Sequence, residues 1–223
     1  MSRKIYGVFV AGGSGTRMGA SVPKQFLPLD GVPILQRTID RFLEAVPGLN
    51  VITVLPASHM DEWRRLCLGG SLNCSQVLVP GGITRFHSVR NALEKVPDGA
   101  LVMVHDGVRP FVSVDMIRRM LEQAGSCSAL VPVVPVVDTL RYRDGSEPAP
   151  DRTRIVAVQT PQIFWSEELK RAYANAYRES FTDDASVAAA AGMTVCQTEG
   201  ERFNIKITTP EDMVLAKAVI GSF

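Results

Sequence analysis

Apolar and polar residues alternate along the chain in blocks that predict strands and helices in turn. Short, mostly apolar runs predict strands at residues 5–10, 51–55, 76–79, 100–104, 129–134, 194–197 and 204–208. Apolar residues at helical spacing follow residues suited to a helix start, namely Pro33, Ser58, Thr84, Ser113, Ser166, Asp183 and Thr209. This alternation predicts one α/β domain over residues 1–223, a three-layer sandwich whose mostly parallel sheet has helices on both faces. We expect ligands at the carboxyl ends of the strands.

One segment, about residues 136–155, departs from this pattern. It contains Asp144-Gly145, a typical hairpin turn, between flanks too polar for a core. We predict a projecting β-hairpin arm. Its apolar residues, Val137 and Tyr142 among them, need a surface to bury them, and an identical arm of a second copy would provide one. The sequence thus predicts a homodimer through the arm, with a mobile hairpin as the alternative.

Composition and charge narrow the class of protein. The chain has 223 residues, a formal net charge of +1 and 21% charged residues. These values indicate no nucleic-acid or membrane partner. No apolar run reaches transmembrane length, and a strand begins too early for a signal peptide. No C-x-x-C pair occurs, so we expect a cytoplasmic protein with four reduced thiols, Cys67, Cys74, Cys127 and Cys196.

A glycine-rich loop follows the first strand, with the sequence AGGSG at residues 11–15. Glycines leave backbone N–H groups uncovered, so such a loop can hold an anion. Arg17 and Lys24 follow closely, and the combination indicates a triphosphate site, with a simple glycine-rich turn as the alternative. The loop lacks the Gly-Lys pair of a Walker motif. It also lacks dinucleotide-binding spacing, and the second strand ends at Pro56 and not at an acid.

Charged residues also follow the other strands, although the whole chain is nearly neutral. Asp106 comes directly after an apolar strand, where it could bind Mg²⁺ or cap a turn. We interpret His105 as a packed, hydrogen-bonded neighbour and not as a base. Arg109 could clamp a phosphate or form a surface ion pair. Asp183 and Asp184 could bind a metal, but acids are also common in the first turn of a helix.

The segments AGGSGTRMG and PKQF resemble the signature of nucleotidyltransferases that activate sugar or polyol phosphates. With GGITRFHSV, VHDGVRPF, VVPVVDTLR, QTPQIF, TDDASVAAAAG and NIKITTPEDM in order, the chain resembles the 2-C-methyl-D-erythritol 4-phosphate cytidylyltransferase family. Ribitol-5-phosphate cytidylyltransferase shares several of these motifs and stays an alternative. TDDAS and RFHSV favour the methylerythritol enzyme.

The resemblance implies a Rossmann-like sheet, a homodimer and transfer of CMP from CTP to methylerythritol phosphate, with Mg²⁺ as cofactor. It assigns catalysis to Arg17, Lys24 and Lys206, and metal binding to Asp106. It assigns CTP binding to Ala11, Gly12, Gly13, Ser14, Gly15, Gly82, Ser88, Asp106 and Gly107. It assigns binding of the polyol phosphate to Arg109, Thr139, Arg152, Thr160 and Lys206. The family often has an acid where this chain has Ile83, so recognition of the cytosine amino group should depend on backbone carbonyls.

Overall fold

The structure is a computed structural model that describes residues 3–13, 23–69, 72 and 74–222. The strands are β1 (Ile5–Val10), β2 (Pro28–Leu29), β3 (Val32–Pro33), β4 (Asn50–Leu55), β5 (Gln76–Pro80), β6 (Leu101–Asp106), β7 (Ala129–Pro135), β8 (Val156–Val158), β9 (Gln162–Trp165) and β10 (Val195–Glu199). The helices are α1 (Ile34–Ala45), α2 (Met60–Gly69), α3 (Arg85–Leu93), α4 (Val114–Gln123), α5 (Ser166–Tyr173), α6 (Asp184–Ala190) and α7 (Pro210–Val219). None of these helices is long and apolar enough to cross a membrane.

A mixed sheet forms the middle layer, with the strand order β10-β7-β9-β6-β1-β4-β5 and β8 beside β7. Strands β6, β1, β4 and β5 run parallel. Strand β9 is antiparallel to both its neighbours, β6 and β7, and β10 is parallel to β7. The predicted mostly parallel sheet is therefore confirmed. Strand β9 was not predicted, because four residues directly before a helix carry too little periodicity to be distinguished from a loop.

Neighbouring residues of β1 show why both faces of the sheet are covered. Successive side chains of a strand point to opposite faces. Phe9 packs edge-on against Phe42 of α1, with ring centroids 5.0 Å apart, in a core shared with α2 and α4. Val8 belongs to the opposite core, which α3, α5 and α6 cover. The three-layer prediction is confirmed, and α7 closes one end over a third apolar cluster.

Most predicted helix starts agree with the structure. Thr84, Ser113, Asp183 and Thr209 are N-caps whose side chains accept a backbone N–H of the first turn. Ser166 is not a cap but the first residue of α5, because its hydroxyl instead accepts the N–H of Ala100 at 3.1 Å. The predicted starts at Pro33 and Ser58 are displaced by one and two residues.

Two further predictions are wrong. Residues 204–208 form no strand, because they lie beside the loop after β6, where Ile207 N–H donates to Val108 O at 2.9 Å. Cys127 and Cys196 form a disulfide, whereas Cys67 and Cys74 are free. The pairing of β10 with β7 puts Cys196 opposite Leu130, near the start of β7. A sequence separation of 69 residues hides that proximity.

The predicted arm is an exposed segment that connects two paired strands, β7 and β8. Its base is antiparallel, with Val133 opposite Val158. A turn at its tip has Gly145 N–H donating to Tyr142 O at 3.1 Å. Residues 136–151 contain no strand, so the hairpin is formed only at the base. The contact between two arms stays a prediction.

Candidate active site

Two pockets open at the carboxyl ends of the parallel strands. The glycine-loop pocket, of about 570 Å³, lies among Gly12, Gly13, Lys24 and the start of α3. The Thr160 pocket, of about 350 Å³, lies between the end of β6 and the start of α6. The two share three charged side chains, Arg85, Asp106 and Lys206. The site therefore consists of two compartments with a common charged wall.

Local contacts hold the glycine loop in position. Ala11 N–H donates to Val54 O at 2.9 Å, and the buried amide of Gln25 donates to Ala11 O at 2.8 Å. Gln25 therefore ties the loop to the short helical turn that carries Lys24. No role was predicted for Gln25, although it lies inside the PKQF motif. Of the predicted loop residues, Ser14, Gly15 and Arg17 lie outside the described residues.

Two predicted glycines are packed closely by the protein itself, and one of them, Gly82, lines this pocket. A Cβ on Gly82 would lie 2.4 Å from the Cβ of His87, and one on Gly107 would lie 2.8 Å from Leu35 Cδ1. Ser88 Oγ accepts the N–H of Gly82 at 3.1 Å and donates to Thr84 O at 3.0 Å. Ser88 thus fixes the backbone of Gly82 at the edge of the pocket.

Asp106 is the charged centre of the common wall and is 5% exposed. Its Oδ2 lies 3.1 Å from Arg109 Nε and 3.1 Å from Lys206 Nζ. Its Oδ1 lies 3.7 Å from Arg85 Nε. Burial disfavours the charged carboxylate, but the three cations outweigh burial and hold the pKa of Asp106 well below its usual value. The carboxyl group of Asp106 is therefore ionised at pH 7.

His105 and Thr160 position Asp106 from behind. The N–H of Asp106 donates to Thr160 Oγ1 at 3.1 Å, and His105 Nδ1 lies 3.1 Å from the same oxygen. Burial lowers the pKa of His105 to about 3, so the ring is neutral. Its Nε2 faces Arg109 O at 3.2 Å, which only accepts, so Nε2 carries the proton and Nδ1 accepts from Thr160. The prediction that His105 is a hydrogen-bonded neighbour is confirmed.

Arg109 and Asn204 connect the wall to the last part of the chain. Arg109 Nη1 donates to Asn204 O at 2.7 Å, and Asn204 Nδ2 donates to Thr160 O at 2.8 Å. Arg109 is mostly buried, so the predicted ion pair exists but lies inside the site and not at the surface. Asn204, which the sequence analysis did not single out, thus holds together the segment that delivers Lys206.

Asp183 and Asp184 prove to be helix-start residues, as the alternative interpretation held. Asp183 forms a capping box with Ser186. Asp184 is fully buried and holds both Nη atoms of Arg85, at 2.9 and 2.7 Å. A sequence separation of 99 residues concealed this partner of Arg85. Among the described residues, no group of three or more metal-ligating side chains forms a site.

Two predicted residues, Thr139 and Arg152, lie away from both pockets. Both are exposed on the arm. Arg152 Nη1 donates to Val137 O at 2.8 Å, across the base of the arm. Within the described part of one chain, the fold therefore does not bring them to Asp106.

Comparison with known proteins identifies the family. The family model for 2-C-methyl-D-erythritol 4-phosphate cytidylyltransferase matches residues 5–222. The enzyme of that name from Bacteroides thetaiotaomicron is 47% identical over 214 residues, which cover 96% of this chain and 98% of the relative. The chain belongs to this family.

Other 2-C-methyl-D-erythritol 4-phosphate cytidylyltransferases agree with the assignment. The Porphyromonas gingivalis enzyme is 48% identical, with both chains fully covered. The crystal structure of the Thermus thermophilus enzyme is 34% identical, has a TM-score of 0.77 and is matched over 98% of each chain. The resemblance inferred from the sequence motifs is confirmed, and the ribitol alternative is not favoured.

Proposed function

We propose that the protein transfers CMP from CTP to 2-C-methyl-D-erythritol 4-phosphate, with release of pyrophosphate, in the non-mevalonate route to isoprenoid precursors. The observation that carries the proposal is that two pockets meet on one charged wall, in a chain that belongs to this family. An oxygen of the acceptor phosphate attacks the α-phosphorus of CTP, and the bond to the β-phosphate breaks. Such a reaction needs positioning and charge neutralisation above all.

The glycine-loop pocket would hold CTP. Backbone N–H groups of the loop would bind the phosphates, and Lys24 and Arg17 would neutralise charge that develops on the triphosphate. Gly82 and Ser88 line this pocket, and the hydrogen bond from Gly82 N–H to Ser88 Oγ supports a fixed backbone edge for the base. The proposed CTP contacts are Ala11, Gly12, Gly13, Ser14, Gly15, Gly82, Ser88, Asp106 and Gly107.

The Thr160 pocket would hold the acceptor. Arg109, Thr160 and Lys206 line it, and Lys206 keeps 41% of its side chain exposed beside Asp106. An exposed ammonium at the boundary between the pockets could bind the acceptor phosphate and direct it at CTP.

The arm would complete the acceptor site in a homodimer. Val137 and Tyr142 are 61% and 51% exposed, which supports a partner surface there. Thr139 and Arg152 would then reach the acceptor of a second copy. This arrangement accounts for their distance from the pockets of their own chain.

Magnesium fits this wall as a cofactor. Mg²⁺ is usually held by one or two carboxylates together with substrate phosphates, and not by a cage of protein ligands. Asp106 is an ionised carboxylate between the pockets, and its Oδ1 is farther from its nearest cation than its Oδ2. Asp106 would therefore hold the ion, which would neutralise charge on the triphosphate.

We propose a cytoplasmic location for the protein. The Cys127–Cys196 disulfide argues for an oxidising compartment, because cytosolic thiols are usually reduced. Alkylating the protein during cell lysis distinguishes the two: free Cys127 and Cys196 thiols support the cytoplasm.

The experiment for the function compares acceptors. The protein is incubated with CTP and Mg²⁺, with methylerythritol phosphate or ribitol phosphate in parallel, and pyrophosphate release is measured. We expect release with methylerythritol phosphate and little without an acceptor. Faster turnover of ribitol phosphate would replace the proposed acceptor.

A further inference from the structure

Arg85, which lines both pockets, is paired with the buried carboxylate of Asp184. Asp184 holds Nη1 and Nη2 of Arg85 with its two oxygens, at 2.9 and 2.7 Å, and also accepts the hydroxyl of Tyr173 at 2.6 Å. A bidentate pair fixes the guanidinium in both position and orientation. With both Nη atoms held by Asp184, Arg85 faces Asp106 with its Nε.

This arrangement makes the two oxygens of Asp106 unequal. Oδ2 accepts close contacts from Arg109 Nε and Lys206 Nζ, both at 3.1 Å. Oδ1 faces Arg85 Nε at 3.7 Å, which is longer than an N–H···O hydrogen bond of about 2.7–3.2 Å. Arg85 therefore attracts Oδ1 electrostatically but forms no hydrogen bond with it.

We propose that Asp184 is a positioning residue that holds Arg85 back from Asp106 and so keeps Oδ1 accessible to the divalent cation that accompanies CTP. When Asp184 loses its charge, Asp106 is the buried carboxylate that remains beside Arg85. Arg85 then moves toward Asp106 and forms a hydrogen bond with Oδ1. The cation must then displace an arginine. The inference rests on the proposed function, because it concerns Mg²⁺ and CTP at this wall.

The test is a binding measurement without turnover. Equilibrium dialysis gives the dissociation constant of CTP with and without Mg²⁺. The ratio is the constant without Mg²⁺ divided by the constant with Mg²⁺, and it reports the coupling of the cation to the protein. In Asp184→Asn we expect this ratio to fall by about tenfold or more, the scale of losing an outer-sphere partner of a metal site. Binding of CTP without metal should not weaken, since Arg85 keeps its charge.

A double variant distinguishes positioning from general loosening. In Arg85→Gln with Asp184→Asn, no arginine competes for Asp106, so the ratio should return to within about twofold of the wild type. A merely structural role predicts that the double variant is as impaired as the single one. That result, or an unchanged ratio in folded Asp184→Asn, would overturn the proposal.

Two further variants keep the test decisive. Tyr173→Phe removes a hydrogen bond from the same carboxylate but leaves the Arg85 pair intact. It should lower the urea midpoint and leave the ratio unchanged. If Asp184→Asn does not fold, the Arg85→Gln variant is measured in its place. A ratio of CTP dissociation constants at or above that of the wild type supports the proposal. A tenfold lower ratio contradicts it. Failure of the proposed function appears separately, as absence of pyrophosphate release by the wild type.

Discussion

Asp106→Asn removes the charge around which Arg85, Arg109 and Lys206 gather. Removing one partner of a buried ion pair costs about 3–5 kcal/mol. Lys206 is 41% exposed, so solvent screens part of the loss and we take the lower end, about 3 kcal/mol. For a chain of this size that loss corresponds to a melting temperature lower by about 6–12 °C.

The same substitution should affect activity and anion binding in opposite directions. Arg109 and Lys206 lose their carboxylate and Arg85 keeps only Asp184, so the wall attracts phosphates more strongly and CTP without Mg²⁺ should bind at least as tightly as to the wild type. Turnover should fall by about 10²-fold or more, because the group proposed to hold the cation is gone. Urea denaturation, CTP binding and pyrophosphate release measure the three effects.

A matched control and a pH series make this prediction refutable. Asp98→Asn breaks the exposed pair with Lys170, at 2.6 Å, and should cost less than about 1 kcal/mol. The pKa of Asp106 is depressed in the folded protein, so its stabilising effect is present above about pH 4 and is lost at lower pH. The difference in unfolding free energy between the wild type and Asp106→Asn should therefore shrink as the pH falls below about 4. An unchanged urea midpoint at pH 7, or near-normal turnover, would refute the reasoning.

Four further predictions follow from single residues. Gly82→Ala should cost about 1–3 kcal/mol and weaken CTP binding, because its Cβ would lie 2.4 Å from His87, whereas Gly13→Ala, whose Cβ meets nothing within 4 Å, should keep its urea midpoint. His105 has its pKa lowered to about 3, so the unfolded chain takes up its proton first as the pH falls. In His105→Asn, the loss of stability from about pH 6 to pH 5 should therefore be smaller by up to about 1.4 kcal/mol, measured by urea midpoints. Lys24→Ala should fold normally and lose about 10²-fold or more in kcat; near-normal kcat would remove Lys24 from the mechanism. Arg152→Ala should raise the KM for the polyol phosphate with CTP binding little changed, and a collapse of CTP affinity would mean that the arm serves the other ligand.

The sequence predicted those features that depend on residues close together in the chain. Thr84 and Ser113 cap the helices that they were expected to cap, because capping involves residues only a few positions apart. Asp106 was found because parallel strands deliver their last residues to one edge. The glycine-rich loop follows from such local rules, and the layers follow from the alternation of strand and helix patterns.

Features formed by distant parts of the chain were not predictable. The pair of Arg85 and Asp184 joins residues that lie 99 positions apart in the chain. The Cys127–Cys196 bond depends on the pairing of β10 with β7, and Asn204 was given the wrong secondary structure. Each of these needs the topology before its chemistry can be inferred.

The most direct test of the central claim is phosphorus NMR of a reaction that contains the protein, CTP, Mg²⁺ and methylerythritol phosphate. If both substrates meet at Asp106, the spectrum should gain the two coupled signals of a diphosphate diester, in equal amount to free pyrophosphate. Both should appear about 10²-fold more slowly, or slower still, in Asp106→Asn. Consumption of CTP without that diester, or equal product from the variant, would contradict the account.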